Sequence, residues 1–219
     1  MANIVKYTSD SGQEITLTQG IVAQYIAGNQ HVTPQEFMTF AALCKNYGLN
    51  PFIREAYIIK YGNQPATIVT GKDVFTKRAY RHPKFQGFQA GITVQNQQGQ
   101  RLKRKGSAIY EGETVIGGWA EVYLADYQVP IYDEVSFNEY AARKNDGTLN
   151  KTWSSKPGTM IRKVALVHAL REAFPEEFNG MYDQSEMGVD EQPEEPIQVP
   201  AEIVPEQNQE ATYEYTEEF

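Results

Sequence analysis

The sequence predicts an α+β domain: an antiparallel β-sheet of meander and hairpins, with helices packed on one side and a disordered acidic C-terminal tail. Three observations predict it. Strand-like segments follow one another through short Gly- and Asn-bearing turns. Helical periods flank this run instead of alternating with it, which argues against a parallel sheet. Beyond residue 183 the chain turns to Glu, Gln and Pro with few bulky apolar residues, too little to offset ordering entropy. The expected boundaries are a core over 1–182 and a tail over 183–219.

Taken in order, "TLTQGIVAQYIAG" spaces Ile21, Tyr25 and Ile26 as a short helix face ending at Gly28. "TPQEFMTFAALCKNYG" opens with Thr33 as N-cap, Pro34 in the first turn and Glu36 closing a capping box. Phe37, Phe40, Ala41, Cys44 and Tyr47 make its apolar face, and Gly48 stops it. "EAYIIKYGNQPATIVT" alternates as two strands joined at Gly62-Asn63. "KDVFTKRAY" returns to helical spacing with Val74, Phe75 and Ala79 inward, and Pro83 ends it.

"FQAGITVQ", "SAIYE", "TVIGGWAEVYL" and "QVPIYDEV" follow as the strands of a meander. Ser136 and Glu139 form a capping box that opens the helix "FNEYAARK". A loop, "NDGTLNKTWSSKPG", leads to the helix "TMIRKVALVHALREAF", where Met160, Val164, Val167 and Phe174 recur near the helical period.

"ATIVTGKDVF" places Gly71-Lys72 after a strand and before a helix, where a phosphate-binding loop carries its Gly-Lys pair. The spacing rejects that reading. Ala66 stands at the first glycine, and Asp73 replaces the magnesium-binding hydroxyl.

The net charge of −8 conceals a partition. All 20 Lys and Arg lie in residues 1–174 beside 14 acids, which leaves the body at +6, and residues 175–219 hold the other 14 acids and no base. Lys72–Lys105 carries nine bases against Asp73, and Tyr140–Phe174 carries seven against Asp146 and Glu172. A charge run is ordinarily a solvated face, but folding gives no reason to exclude acids from one. A polyanion partner does.

Bases also interleave with aromatics: Tyr57-Lys60-Tyr61, Phe75-Lys77-Arg78-Tyr80-Arg81-Phe85 and Lys151-Trp153-Lys156. Single-stranded nucleic acid is held by such a mixture, cations on phosphates and aromatic faces under bases. Trp153, in a polar loop, either docks on the core or awaits a base. Lys103, Arg104 and Lys105 join the candidate contacts, and the start of the last helix offers N–H groups beside Lys156, Arg162 and Lys163.

Catalysis finds little support. His31, His82 and His168 are scattered and stand at no metal-ligand spacing to each other or to Cys44. Glu121, Asp126, Asp133 and Glu134 make a metal nuclease only if strands bring them together. No cofactor is expected. The single cysteine fits a reducing cytoplasm, and neither a leader nor a membrane span is expected.

"YGLNPFIREAYIIKYGNQPATIVTGKDVFTKRA", "GGWAEVY" and "WSSKPGTMIRKVALVHALREAFPEEFNGMY" resemble the Bet-type proteins of the RecT/Redβ class of single-strand annealing proteins. The resemblance covers nearly all of residues 14–187, in order. It implies ATP-independent pairing of complementary strands in phage or prophage recombination, inside the bacterial host cell. It further implies a partner exonuclease, contact with the host single-strand-binding protein, and homo-oligomeric rings or helical filaments. Carried over by motif, Arg54, Lys72, Trp153, Lys156, Arg162, Lys163 and Arg171 become candidate DNA contacts. A non-annealing single-strand-binding module shares the charge pattern and remains the alternative. The acidic tail has three readings: a solubilising appendage, a competitor for the basic groove, or a docking segment anchored by Tyr213, Tyr215 and Phe219.

Overall fold

A computed structural model of the chain describes residues 4–60 and 65–187. These divide into two compact units, 4–53 and 54–187. The expected tail lies outside the described residues from 188 onward, as does the Gly62-Asn63 turn.

The first unit begins with an antiparallel hairpin, β1 (Ile4–Thr8) and β2 (Glu14–Thr18), in which Ile4 faces Thr18 and Thr8 faces Glu14. Ile15 and Leu17 point inward from β2. The helix expected from Thr16 is therefore shorter. Thr16–Thr18 belongs to the strand, Thr18 caps α1 (Gln19–Ile21), and the chain runs on as a π-helical turn, Val22–Ile26. Its buried residues are Val22 and Ile26, whereas Ile21 and Tyr25 stay half-exposed.

Helix α2 (Pro34–Asn46) is as expected. The Glu36 N–H donates to Thr33 Oγ1 at 3.2 Å and the Thr33 N–H to Glu36 Oε2 at 2.8 Å, which closes the capping box. Phe37, Phe40, Ala41 and Cys44 are buried, while Tyr47 sits at the C-cap, half-buried. After it, the Tyr7 hydroxyl donates to the Leu49 carbonyl at 2.6 Å, and the buried Asn50 side chain donates to Gln13 Oε1 at 2.6 Å. The Leu-Asn-Pro turn is thus fixed to the hairpin.

In the second unit β3 (Ala56–Ile59) and β4 (Thr67–Thr70) pair antiparallel, and α3 (Lys72–Arg81) follows, ending before Pro83. The main sheet has the strand order β6-β5-β7-β8, with β5 (Phe85–Gln95), β6 (Arg101–Lys105), β7 (Thr114–Leu124) and β8 (Ile131–Ser136), all antiparallel. Here the sequence reading needs correction. "SAIYE" is a loop, and the charge run "RLKRK" is the edge strand. The cause is a tight reversal: Asn96 Oδ1 accepts from the N–H groups of Gln98 and Gln100, and Gly99 takes φ 77°, so residue 101 is already back in register with Gln95.

Helix α6 (Pro157–Ala173) covers one face of this sheet. A Cβ at Gly118 would lie 2.4 Å from the Ile161 carbonyl, so the helix rests on bare strand backbone. Ala90, Ile92, Ala120, Val122 and Val135 supply the buried strand side against Ile161, Val164, Ala165 and neighbouring α6 residues. On the opposite face the register places Arg101, Lys103 and Lys105 with Thr93, Trp119, Tyr132 and Glu134.

Only the first turn of the helix expected over "FNEYAARK" forms, as α4 (Phe137–Tyr140), and Ser136 makes no side-chain cap bond. Ala141 turns extended at φ −61°, ψ 109°, because it and Ala142 are buried, and Ala142 accepts from the Asn150 N–H. The expected loop beyond it holds a short helix, α5 (Lys151–Ser155), capped where Asn150 Oδ1 accepts from the Trp153 N–H at 2.9 Å.

Residues 183–187, placed in the tail by composition, are folded. Asp183 caps a 3-10 turn, Gln184–Glu186, and Asp183, Gln184 and Ser185 are buried. Thr70 donates its N–H to the Tyr182 carbonyl and Tyr57 its hydroxyl to Gln184 Oε1 at 2.5 Å, so this segment packs on the β3-β4 hairpin. Composition measures apolar content, and this segment is held by polar bonds.

Candidate nucleic-acid interface

The Gly71-Lys72 turn has a structural origin. A Cβ at Gly71 would lie 2.7 Å from the Arg54 carbonyl, and the Gly71 N–H donates to the Glu55 carbonyl at 3.1 Å. Arg54 itself holds φ 59°, a left-handed conformation that is costly for a residue with a Cβ. The backbone therefore packs the turn that precedes Lys72 against Arg54 and Glu55. Glycine stands at 71 to admit a carbonyl.

Along α3 most bases meet acids. Lys72 Nζ lies 3.8 Å from Asp73, Lys77 2.8 Å from Glu55, and Arg78 3.9 Å from Glu177. Arg81, at the last turn, is exposed and forms no ion pair with any described residue. Tyr80 beside it is 69 % exposed and stands edge-on to Phe85. Lys60, just past β3, is half-buried.

On β6 the alternation of a strand separates the bases. Arg104 turns to the helix side, where Glu113 accepts from its Nε at 3.1 Å and Tyr110 lies under the guanidinium. Arg101, Lys103 and Lys105 point to the open face. There Lys103 is engaged by the Tyr132 hydroxyl, with Glu134 at 3.3 Å, which together hold its ammonium more firmly protonated than a free lysine. Arg101 and Lys105 remain exposed without an ion pair to described residues.

Lys105 ends where α6 begins. The next N–H, of Gly106, donates to the Ala90 carbonyl, and Gly158 abuts the Ser107 carbonyl so closely that a Cβ would come within 2.5 Å. Arg162 donates Nε to that same Ala90 carbonyl at 3.2 Å, and its burial lowers its pKa below the usual guanidinium value. The α6 N-terminus has no side-chain cap. Lys151, the first residue of α5, and Lys156, just after it, are exposed. Lys105, Lys151, Lys156 and Arg162 are thus gathered from three stretches of chain around one helix start.

From Lys163 onward α6 is different. Lys163 lies 3.2 Å from the fully buried Asp183. Arg171 pairs with Glu186 and stacks on Tyr182 at 4.8 Å. His168 Nδ1 stands 3.3 Å from Asp133 and Nε2 2.9 Å from Glu186. Burial opposes its charge, but hydrogen bonds to Asp133 and Glu186 outweigh burial and raise its pKa to about 9. These cations are neutralised within the chain by the folded 183–187 segment and β8.

Trp153 is the clear correction among the candidates. Its ring is 1 % exposed and packs edge-on against Phe137 at 5.5 Å, so it is core. The tryptophan on the open sheet face is Trp119, which the sequence reading did not single out; its ring crosses Gly91 beneath Lys103. The register of β7 and β8 was the available signal. The four acids weighed as a metal site do not converge: Asp133 faces α6, Glu134 and Glu121 face the open side, and Asp126 pairs with Lys84 at 2.6 Å.

A RecT family model matches residues 12–199. An uncharacterized protein of Ureaplasma parvum serovar 3 is 31% identical over 149 residues, a match that covers 66% of this chain and 58% of that protein. The chain thus spans less than two thirds of that relative's length. No helix among the described residues is long and apolar enough to cross a membrane. With a family match that runs from β2 through the folded 183–187 segment and into the acidic stretch, the chain belongs to the RecT family.

Proposed function

We propose that this protein binds single-stranded DNA and pairs complementary strands without ATP. The observation that carries the reading is the gathering of Lys105, Lys151, Lys156 and Arg162 at the uncapped start of α6, in a chain of the RecT family. Exposed ammonium groups beside an uncapped helix start suit phosphates. A grip on the backbone leaves base edges free to test one another, and stacking and pairing in the new duplex supply the driving force. The ligands are therefore single strands and the annealed duplex intermediate, read with little sequence preference. In this reading the protein works in the cytoplasm of a bacterial host, beside an exonuclease that exposes the strands and the host single-strand-binding protein that covers them, and it acts as a homo-oligomer.

The test mixes two complementary labelled oligonucleotides with the protein, without nucleotide or metal. Duplex forming faster than in buffer supports annealing. Slower pairing with tight binding overturns it in favour of a protective single-strand-binding protein, and shortening of an end-labelled strand in magnesium points to a nuclease.

A further inference from the structure

The loop between β6 and β7, residues 106–113, presents a tyrosine that the fold fixes in place without burying it. Tyr110 is 61 % exposed, and its hydroxyl has no hydrogen-bond partner among the described residues. A single exposed ring is ordinary on a protein surface. What sets Tyr110 apart is the ion pair that holds it. Arg104 donates Nη2 to Glu113 Oε1 at 2.5 Å, the Tyr110 N–H donates to Glu113 Oε2 at 3.0 Å, and the Glu113 N–H donates back to the Tyr110 carbonyl at 3.1 Å. The guanidinium anchored in this way lies over the Tyr110 ring, 5.3 Å from its centroid, and covers one face. The Glu113 side chain is only 6 % exposed, so a nearly buried carboxylate is committed to holding an aromatic ring in solvent.

The loop also leans on the start of α6. The Ile109 side chain lies 3.4 Å from where a Cβ of Gly158 would stand, and the Ser107 carbonyl comes within 2.5 Å of the same point. That contact puts Tyr110 in one patch with Lys105, two residues before Ser107, and Lys156, two residues before Gly158. Both lysines are exposed and form no ion pair with a described residue. The loop itself contains no base, and Glu111 at its tip is exposed and repels phosphate. What the loop offers a single strand is therefore an aromatic face, and the charge comes from the lysines around it.

We propose that Tyr110 is a base-stacking platform: one nucleobase of a bound single strand lies on the ring face that Arg104 leaves open, while Lys105 and Lys156 take neighbouring phosphates. Arg104 is then a positioning residue that acts through the ring, which accounts for its pairing with Glu113. Every base has a face to stack, so the platform is indifferent to sequence. Stacking also uses only that face and leaves the pairing edge of the base open to a complementary strand. The inference rests on the single-strand reading above and adds to it the part of the strand that is held besides the phosphates.

Equilibrium binding of the full chain to two oligonucleotides of equal length and charge, one bearing bases and one abasic, tests the platform. Tyr110→Ala is expected to weaken binding of the base-bearing strand roughly 5–150-fold, the usual contribution of one stacked base, and to leave binding of the abasic strand unchanged. Tyr110→Trp keeps an aromatic face and reports on it, because Trp119 and Trp153 are buried. It is expected to bind as the native chain does and to lose fluorescence on the base-bearing strand alone. An alanine variant that binds both strands as the native chain does, or weakens equally on both, overturns the proposal. So does emission from Tyr110→Trp that neither strand changes, and if the alanine variant fails to fold, this second variant decides. Strand pairing by the native chain is followed in parallel. A native chain that anneals while Tyr110→Ala loses nothing removes the platform alone. A base-dependent loss in a chain that does not anneal keeps the platform and removes annealing, and a native chain that binds neither strand removes both.

Discussion

The two ends of helix α6 carry similar charge and are built for different work. At its start Lys156, with Lys151 and Lys105, faces solvent without an ion pair to described residues; further along it Lys163, His168 and Arg171 are matched by Asp183, Glu186 and Asp133. The comparison teaches that charge counted along a chain differs from charge available to a ligand. Asp183 and Glu186 were assigned to an acidic appendage by position, yet they are matched to Lys163, His168 and Arg171.

The sharpest way to break this contrast is to remove one cation from each end. Lys163→Ala leaves Asp183 buried and unpaired, and is expected to cost about 3–5 kcal/mol of stability in a denaturant titration while the folded fraction binds single strands nearly as before. Lys156→Ala is expected to do the reverse: an unchanged midpoint and weaker binding. Equal losses of affinity from both variants would show that the clamped end also meets DNA.

Trp153→Ala probes the same division between structure and ligand. A fully buried ring is expected to cost about 3–5 kcal/mol of stability, with little change in affinity per folded molecule. A base platform would show the opposite pattern.

The His168 clamp sets a pH window. Its folded pKa of about 9 lies above the ordinary value of 6.5, so its contribution is complete below about pH 6.5 and is lost as pH rises through 9. The melting temperature is expected to fall between those limits, and His168→Gln to flatten that fall. A profile equally steep in the variant would assign the dependence to other groups.

The smallest effect is a slope. If the five exposed cations Arg81, Arg101, Lys105, Lys151 and Lys156 meet phosphates, the logarithm of affinity should fall with the logarithm of salt with a slope near −3.5 for single strands. A markedly steeper slope would mean that the clamped cations are released on binding.

Much of this was legible in the sequence. Helix α2 carries its own cap, α2, α3 and α6 carry their stops and apolar faces, and β5 and β7 are long apolar strands, so local signals and tertiary packing agree. What failed did so for identifiable reasons. "RLKRK" hides a strand because an edge strand with one open face and one shared with a loop has bases on both sides. Helix α4 stops early because Ala141 and Ala142 are drawn into the core, which no propensity encodes. Trp153 lies among polar neighbours because α5 is a single capped turn that buries one ring and exposes the rest. The candidate contacts were chosen by charge along the chain, but the partners of several come from residues as far away as Glu186, beyond the reach of any window.

The folded 183–187 segment also decides where the chain can be cut. A protein ending at residue 182 would lose the carboxylates of Asp183 and Glu186, leave Lys163, His168 and Arg171 facing one another, and expose the polar edge of the β3-β4 hairpin. Such a piece would be both less stable and artificially basic, and any gain in its DNA affinity would be an artefact of the cut. Ending at Met187 instead keeps the clamp whole, so that a change in binding can be attributed to the acidic residues beyond it.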